Sequence, residues 1–194
     1  NMISREGARG QEYNAWAGDG GNPPDHTTIL PFTRMLGGPF DFTPGIFDLH
    51  FEEANRPKNR VNTTIAKQLA LYVVIYSPMQ MAADLPENYE GHPAFEFIKS
   101  VPSDWEETRV LHAKIGDYVT IARKERGGDG WYIGSITDED GRVLEAGLGF
   151  LDPGIVYEAT VFADGSGADW QSAPYRIDIE SREVRSGDLL EMRL

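Results

Sequence analysis

Residues Tyr118 to Thr137, YVTIARKERGGDGWYIGSIT, carry the reading that decides the fold. Two runs rich in β-branched and aromatic residues, Tyr118–Arg123 and Trp131–Thr137, lie on either side of Gly127-Gly128-Asp129-Gly130. Side chains of the first kind fill a pleated, half-buried surface, and a Gly/Asp cluster supplies the backbone freedom of a turn. Downstream the same texture repeats. Ile155–Ala163, Tyr175–Ile179 and Leu189–Leu194 are further strand candidates, punctuated by Asp138-Glu139-Asp140-Gly141, Asp152-Pro153-Gly154 and Asp164-Gly165-Ser166-Gly167. Short strands at this spacing predict an antiparallel sandwich or barrel over residues 103–194.

Upstream of Pro102 the pattern changes. Val61, Ile65, Leu69, Tyr72, Val73 and Tyr76 recur at three- and four-residue steps, which predicts a helix capped by Asn59 or Asn62 and ended or kinked at Pro78. Tyr72 and Tyr76 are expected to pack in the core, with Met79 and Met81 as gap-fillers beside them. Between Met79 and Ile98 the spacing suits shorter helices and turns. The first sixty residues are rich in Gly, Pro, Asn and Asp yet carry Tyr13, Trp16, Phe32, Phe40, Phe42 and Phe47, so they read as a long structured loop with short strand-like pieces at Met2–Ser4 and Phe40–Thr43. The opening at Asn1 and the close at Leu194 inside a strand-like alternation lead us to expect that both ends are cut.

Lysine and arginine total 18 against 31 acidic residues, for a net charge of −13. That balance repels phosphate backbones and anionic membrane surfaces, so no nucleic acid is expected as a partner. Without cysteine there are no disulfides, thiolate metal sites or thiol nucleophiles. No apolar run is long enough for a membrane span, and no signal peptide is evident.

Chemistry is densest at Arg5-Glu6-Gly7-Ala8-Arg9-Gly10-Gln11-Glu12-Tyr13-Asn14-Ala15-Trp16. The glycines allow a sharp bend that brings both carboxylates to one cleft. Glycoside hydrolysis uses such groups: one protonates the leaving oxygen and another activates water or attacks the sugar. Tyr13 and Trp16 would desolvate Glu12 or stack on a sugar, while Arg5 and Arg9 would favour its ionised form. Two glutamates flanked by arginines are more commonly a solvated ion-pair network worth little, and the pair alone does not decide.

Longer strings do. The carboxylate segment, then Asn22-Pro23-Pro24-Asp25-His26-Thr27-Thr28-Ile29-Leu30-Pro31-Phe32-Thr33-Arg34, then Gly38-Pro39-Phe40-Asp41-Phe42-Thr43-Pro44-Gly45, resemble glycoside hydrolase family 97. The resemblance continues through Thr64–Ala70, Tyr76–Asp84 and Trp131–Thr137, so it covers essentially the whole chain. It implies an α-glucosidase or α-galactosidase, and an α/β plus all-β fold: residues 1–102 as the last units of a (β/α)8 catalytic barrel, residues 103–194 as a C-terminal antiparallel β-sandwich domain. It further implies Glu12 as the general acid, Glu6 as a ligand of an active-site calcium (Ca2+), and an oligosaccharide substrate with terminal α-linked glucose or galactose. A hard cation taking carboxylate oxygens agrees with that role for Glu6. The base or nucleophile and the other calcium ligands would come from the missing N-terminal part of the same enzyme, leaving the isolated chain inactive. Family members are typically exported, which implies a periplasmic or extracellular location.

Other residues admit two readings each. His26 and Asp41 are candidates for substrate contact, though a turn histidine beside Asp25 and a capping aspartate would look alike. His50, His92 and His112 lack metal-ligand spacing. Trp105, Trp131 and Trp170 are expected in the sandwich core rather than on a sugar platform. The rival to the enzyme is a non-catalytic carbohydrate-binding or structural β module.

Overall fold

The computed structural model describes residues 8–51 and 58–194. The expected strand at Met2–Ser4 lies outside them. Alternation along β2 (Tyr118–Glu125) sends Val119 and Ile121 to one face and Thr120 and Ala122 to the other, and all four are buried. A strand buried on both faces sits in the middle of its sheet, and β2 does, pairing antiparallel with β1 (Trp105–Lys114) and β3 (Trp131–Thr137). In register, Val119 lies opposite Ile136, Thr120 opposite Ser135 and Ile121 opposite Gly134.

Four more strands form two antiparallel pairs: β4 (Val143–Gly147) with β7 (Leu189–Arg193), and β5 (Val156–Asp164) with β6 (Ile177–Arg185). Their inner faces meet the three-stranded sheet through Ala122, Ala146, Leu148, Phe150, Val184, Leu190 and Met192. The expected antiparallel β architecture is therefore present. Two strands went unforeseen. β1 and β4 are largely exposed edge strands, so pairing rather than a buried face defines them.

On the opposite face lies helix α2 (Ile65–Val74); α1 (His26–Ile29), α3 (Pro86–Tyr89) and α4 (Phe95–Ser100) are shorter. Leu71 and Val74 of α2, with Ile75 beyond its end, join Val119, Ile121, Ile136, Leu30, Phe40 and Phe42 in one core. Ile65 and Leu69 join Ile46, Phe47, Leu49 and Tyr89 in another, which reaches β5 through a Phe97–Phe162 edge contact at 5.4 Å. Close approach of helix and sheet depends on Gly134. A Cβ there would lie 2.7 Å from both the Ala70 carbonyl oxygen and Val73 Cβ.

The helix is shorter than expected. Thr64, not Asn59 or Asn62, is the N-cap, its hydroxyl accepting from the Lys67 amide at 3.2 Å. It stops at Val74, before Tyr76 and Pro78. Its last carbonyls are met from afar: Arg123 Nε donates to the Val73 oxygen at 2.6 Å, and Gln80 Nε2 donates to Tyr72 and Ile75. Tyr72 is core as expected. Tyr76 lies under the Arg123 guanidinium, 4.5 Å from the ring centroid. Met79 and Met81 fill no gap; both are exposed. Among the described residues, Phe40–Thr43 is not part of any strand. Trp105 is buried against Tyr132, so the three tryptophans make no shared platform.

Candidate active site

Glu12 stands on a 3-10 turn, Gln11–Ala15, whose backbone is pinned by a network of buried amides. Asn14 Nδ2 donates to the backbone and side-chain oxygens of Gln11 at 2.9 and 2.8 Å, and Asn14 Oδ1 accepts from the Asn22 amide at 2.7 Å. Asn22 Nδ2 reaches the Gly10 carbonyl at 2.8 Å. Asn59 Nδ2 donates to the Asn14 and Ala17 carbonyls, and Asn62 Nδ2 to those of Gly20 and Asn22. All but the side-chain bond between Asn14 and Gln11 satisfy a backbone group that would otherwise be stranded in an irregular loop, so the loop behaves as a rigid platform. Gln11 and Asn14 are buried while Glu12, between them in function and sequence, is exposed.

The Glu12 carboxylate is held by one hydroxyl. Thr43 Oγ1 donates to Glu12 Oε2 at 2.5 Å and accepts from the Gln11 amide at 2.6 Å. Burial alternates along Phe40, Asp41, Phe42, Thr43 and Pro44: the first, third and fifth face the core, so Asp41 and Thr43 face away from it. That places Asp41 on the side of the chain that carries Glu12's partner. Ser77 Oγ approaches Asp41 Oδ1 at 3.4 Å. The turn that follows is fixed by Gln68 Oε1, which accepts from the amides of Gly45 and Ile46, and by Asp84 Oδ2, which accepts from Phe47 and Asp48 at 2.6 and 2.7 Å.

His26, at the start of α1, turns inward to the same segment. Its Nε2 lies 2.8 Å from the Arg9 carbonyl oxygen, so Nε2 carries the proton and donates. Burial lowers its pKa, which favours the neutral ring. Here the histidine braces the carboxylate loop. Of the aromatic neighbours, Tyr13 donates to Asp19 at 2.8 Å under the Arg9 guanidinium, and Trp16 is 62% exposed. The Tyr13 hydrogen bond is the main reason the Asp19 carboxyl is held below the usual carboxylate range.

Behind the loop, Lys67 is buried with Nζ donating to the carbonyls of Pro24 at 2.7 Å and Thr137 at 2.6 Å, tying the segment before α1 to the end of β3. Loss of solvation depresses its pKa to about 8 against the pull of Asp138, Asp164, Asp25 and Glu139. Burial likewise raises the pKa of Asp164. A cavity of about 500 Å³ opens between α2, β3 and the β5–β6 pair, lined at its apolar end by Trp131, Ile133, Phe150 and Val161. Neither Glu12, His26 nor Asp41 lines it, and the hydrogen-bonded geometry rather than cavity size defines the site.

Glu6 lies outside the described residues. Among the described residues no three His, Asp or Glu side chains converge as a metal site. Thr43, Gln11, Asn14 and Asn22 were not foreseen as site residues. Thr43 is 31 positions from Glu12, so no local spacing signals the contact.

Residues 104–194 match the family model described as "Glycosyl-hydrolase 97 C-terminal, oligomerisation". Over its whole length the chain is 34% identical to a protein named retaining alpha-galactosidase from Bacteroides thetaiotaomicron, of which it covers 29%. A glycoside hydrolase family 97 enzyme from Pseudoalteromonas sp. strain K8, solved with panose, superposes with a TM-score of 0.92 at 53% identity, covering 99% of this chain and 30% of that one. The same enzyme solved with acarbose gives 0.92 at 54% identity, with the same coverage. The braced carboxylate loop and the β unit that follows it thus have their counterpart in one segment of a glycoside hydrolase. The chain belongs to glycoside hydrolase family 97 and spans about 30% of the length of the relatives it matches.

Proposed function

We propose that this chain is part of an enzyme that cleaves terminal α-linked glucose or galactose, with Glu12 as the general acid. The observation that carries the reading is the exposed Glu12 carboxylate on a loop whose buried amide network leaves it little freedom. A general acid has to meet its oxygen within hydrogen-bond reach, and rigidity is what this loop supplies. Residues 1–102 are proposed as the last units of a (β/α)8 barrel, in which the Phe40–Thr43 run would join strands of the upstream sequence. Active-site loops of such barrels follow the strand ends. His26 and Asp41 are proposed to face the substrate, His26 through its remaining ring edge. The curated relative is named a galactosidase and the solved one was captured with panose, a glucose trisaccharide, and with acarbose, so both sugars stay within the proposal.

The partner carboxylate is proposed to lie in upstream sequence, and the 194 residues alone to be inactive. Calcium is proposed from the family resemblance, with Glu6 as a ligand; the described residues do not by themselves form a calcium site. Export to the periplasm or cell exterior belongs to the same proposal. The test is hydrolysis of α-linked glucose and galactose disaccharides, with and without calcium, by the polypeptide carrying this chain and its upstream barrel. Glu12→Gln is expected to cost at least a hundredfold. Undiminished turnover would overturn the assignment and favour the binding-module reading, which predicts sugar binding by residues 103–194 regardless of Glu12.

A further inference from the structure

We infer that Thr43 is a positioning residue for Glu12: its hydroxyl occupies Oε2 and so leaves Oε1 as the oxygen that delivers the proton to substrate. The inference rests on the reading of Glu12 as the acid. Direction follows from the partners. The Gln11 amide at 2.6 Å can only donate, so Thr43 Oγ1 accepts there and its own hydrogen goes to Glu12 Oε2 at 2.5 Å. An oxygen already accepting that bond is the poorer place for the acidic proton, which therefore sits on Oε1.

The geometry is enforced from both sides. A Cβ at position 10 would lie 2.1 Å from Glu12 Oε2, so Gly10 is what lets the side chain fold back to Thr43. Phe42 and Pro44, buried on either side of Thr43, fix its backbone, and Gln68 holds the next turn through the Gly45 and Ile46 amides.

In the bond-breaking step the proton passes from Oε1 to the glycosidic oxygen. The C1–O bond breaks, its electron pair stays with that oxygen, and C1 is taken by a water or carboxylate supplied from outside this chain. Glu12 is left as a carboxylate. Its bond from Thr43 becomes charge-assisted as the negative charge develops, so it strengthens toward the transition state and accelerates the step.

The experiment compares kcat/KM for two substrates of the polypeptide that carries this chain and its upstream barrel: an α-linked disaccharide, whose leaving oxygen needs the proton, and the matching 2,4-dinitrophenyl α-glycoside, whose phenolate leaves without it. Thr43→Val is expected to lower disaccharide kcat/KM about ten- to a hundredfold while leaving the dinitrophenyl substrate within about threefold. Thr43→Ser keeps the hydroxyl and is expected to restore the disaccharide value. The ratio of the two substrates does not depend on how much of the variant folds. An equal loss on both, or no loss on either, overturns the role of Thr43. Glu12→Gln run beside them separates the two claims: if it too shows no selective loss on the disaccharide, the acid assignment itself fails; if it shows the loss and Thr43→Val does not, only the positioning role does.

Discussion

Lys67 offers a sharp electrostatic test, because an ammonium this deeply buried makes stability depend on pH in a window where few other groups titrate. Its pKa falls from 10.5 to about 8 on burial. Between those values the unfolded chain holds a proton that the folded chain has released, so stability rises with pH across the window. The gap corresponds to about 3 kcal/mol in full, of which about 1.3 kcal/mol is gained between pH 7 and 9. Above pH 10 the trend reverses. Burial raises the pKa of Tyr72 and Tyr89, and unfolded tyrosines ionise there while the folded ones resist. Lys67→Met removes the titration and keeps most of the volume. At pH 7 the substitution relieves the desolvation cost but strands the Pro24 and Thr137 carbonyls, at about 1–3 kcal/mol each, so the two effects nearly cancel. The slope, not the absolute value, carries the information. Urea unfolding of the parent and Lys67→Met chains, at one fixed protein concentration and pH values from 7 to 9, should give profiles that converge or diverge by about 1.3 kcal/mol. Parallel profiles would refute the claim that Lys67 is charged and desolvated in the fold.

Gly134→Ala should destabilise by about 1–3 kcal/mol, since the added methyl meets Ala70 and Val73 at 2.7 Å and α2 must lift from the sheet; an unchanged urea midpoint would contradict the contact. His26 should titrate below 6.5 with its proton on Nε2 when neutral, and stability should be lost as pH falls beneath 6.5; an NMR midpoint at or above that value would contradict its burial. Leu36 is 80%, Met79 66% and Leu85 56% exposed, an apolar set that predicts self-association of the 194-residue chain by light scattering, whereas a clean monomer would argue against a covering barrel.

Much of the β half was legible because burial and alternation coincide there. The runs at β2, β3, β5 and β7 could be read within a residue or two, and their turns announced themselves through Gly and Asp. β1 and β4 were not, because a largely exposed edge strand is defined by its pairing rather than by a buried face. The helix illustrates the same limit. Asn59 and Asn62 look like caps, yet their amides are drawn to the carbonyls of the carboxylate loop, leaving Thr64 to cap and Arg123 and Gln80 to close the other end. In the candidate site, the Glu6 and Glu12 pair was visible in its segment, and the family resemblance rather than the pair pointed to Glu12. Its hydrogen-bond partner could not, since Thr43 reaches it only once Phe42 and Pro44 are packed.

The most direct test of Glu12 as the acid is chemical rescue. In the polypeptide carrying this chain and its upstream barrel, Glu12→Ala removes the carboxyl and leaves room for a small carboxylic acid. Disaccharide turnover is predicted to fall at least a hundredfold and to be restored in part by added formate, with no gain for the parent. Full activity without formate, or a loss that formate leaves untouched, would contradict the account.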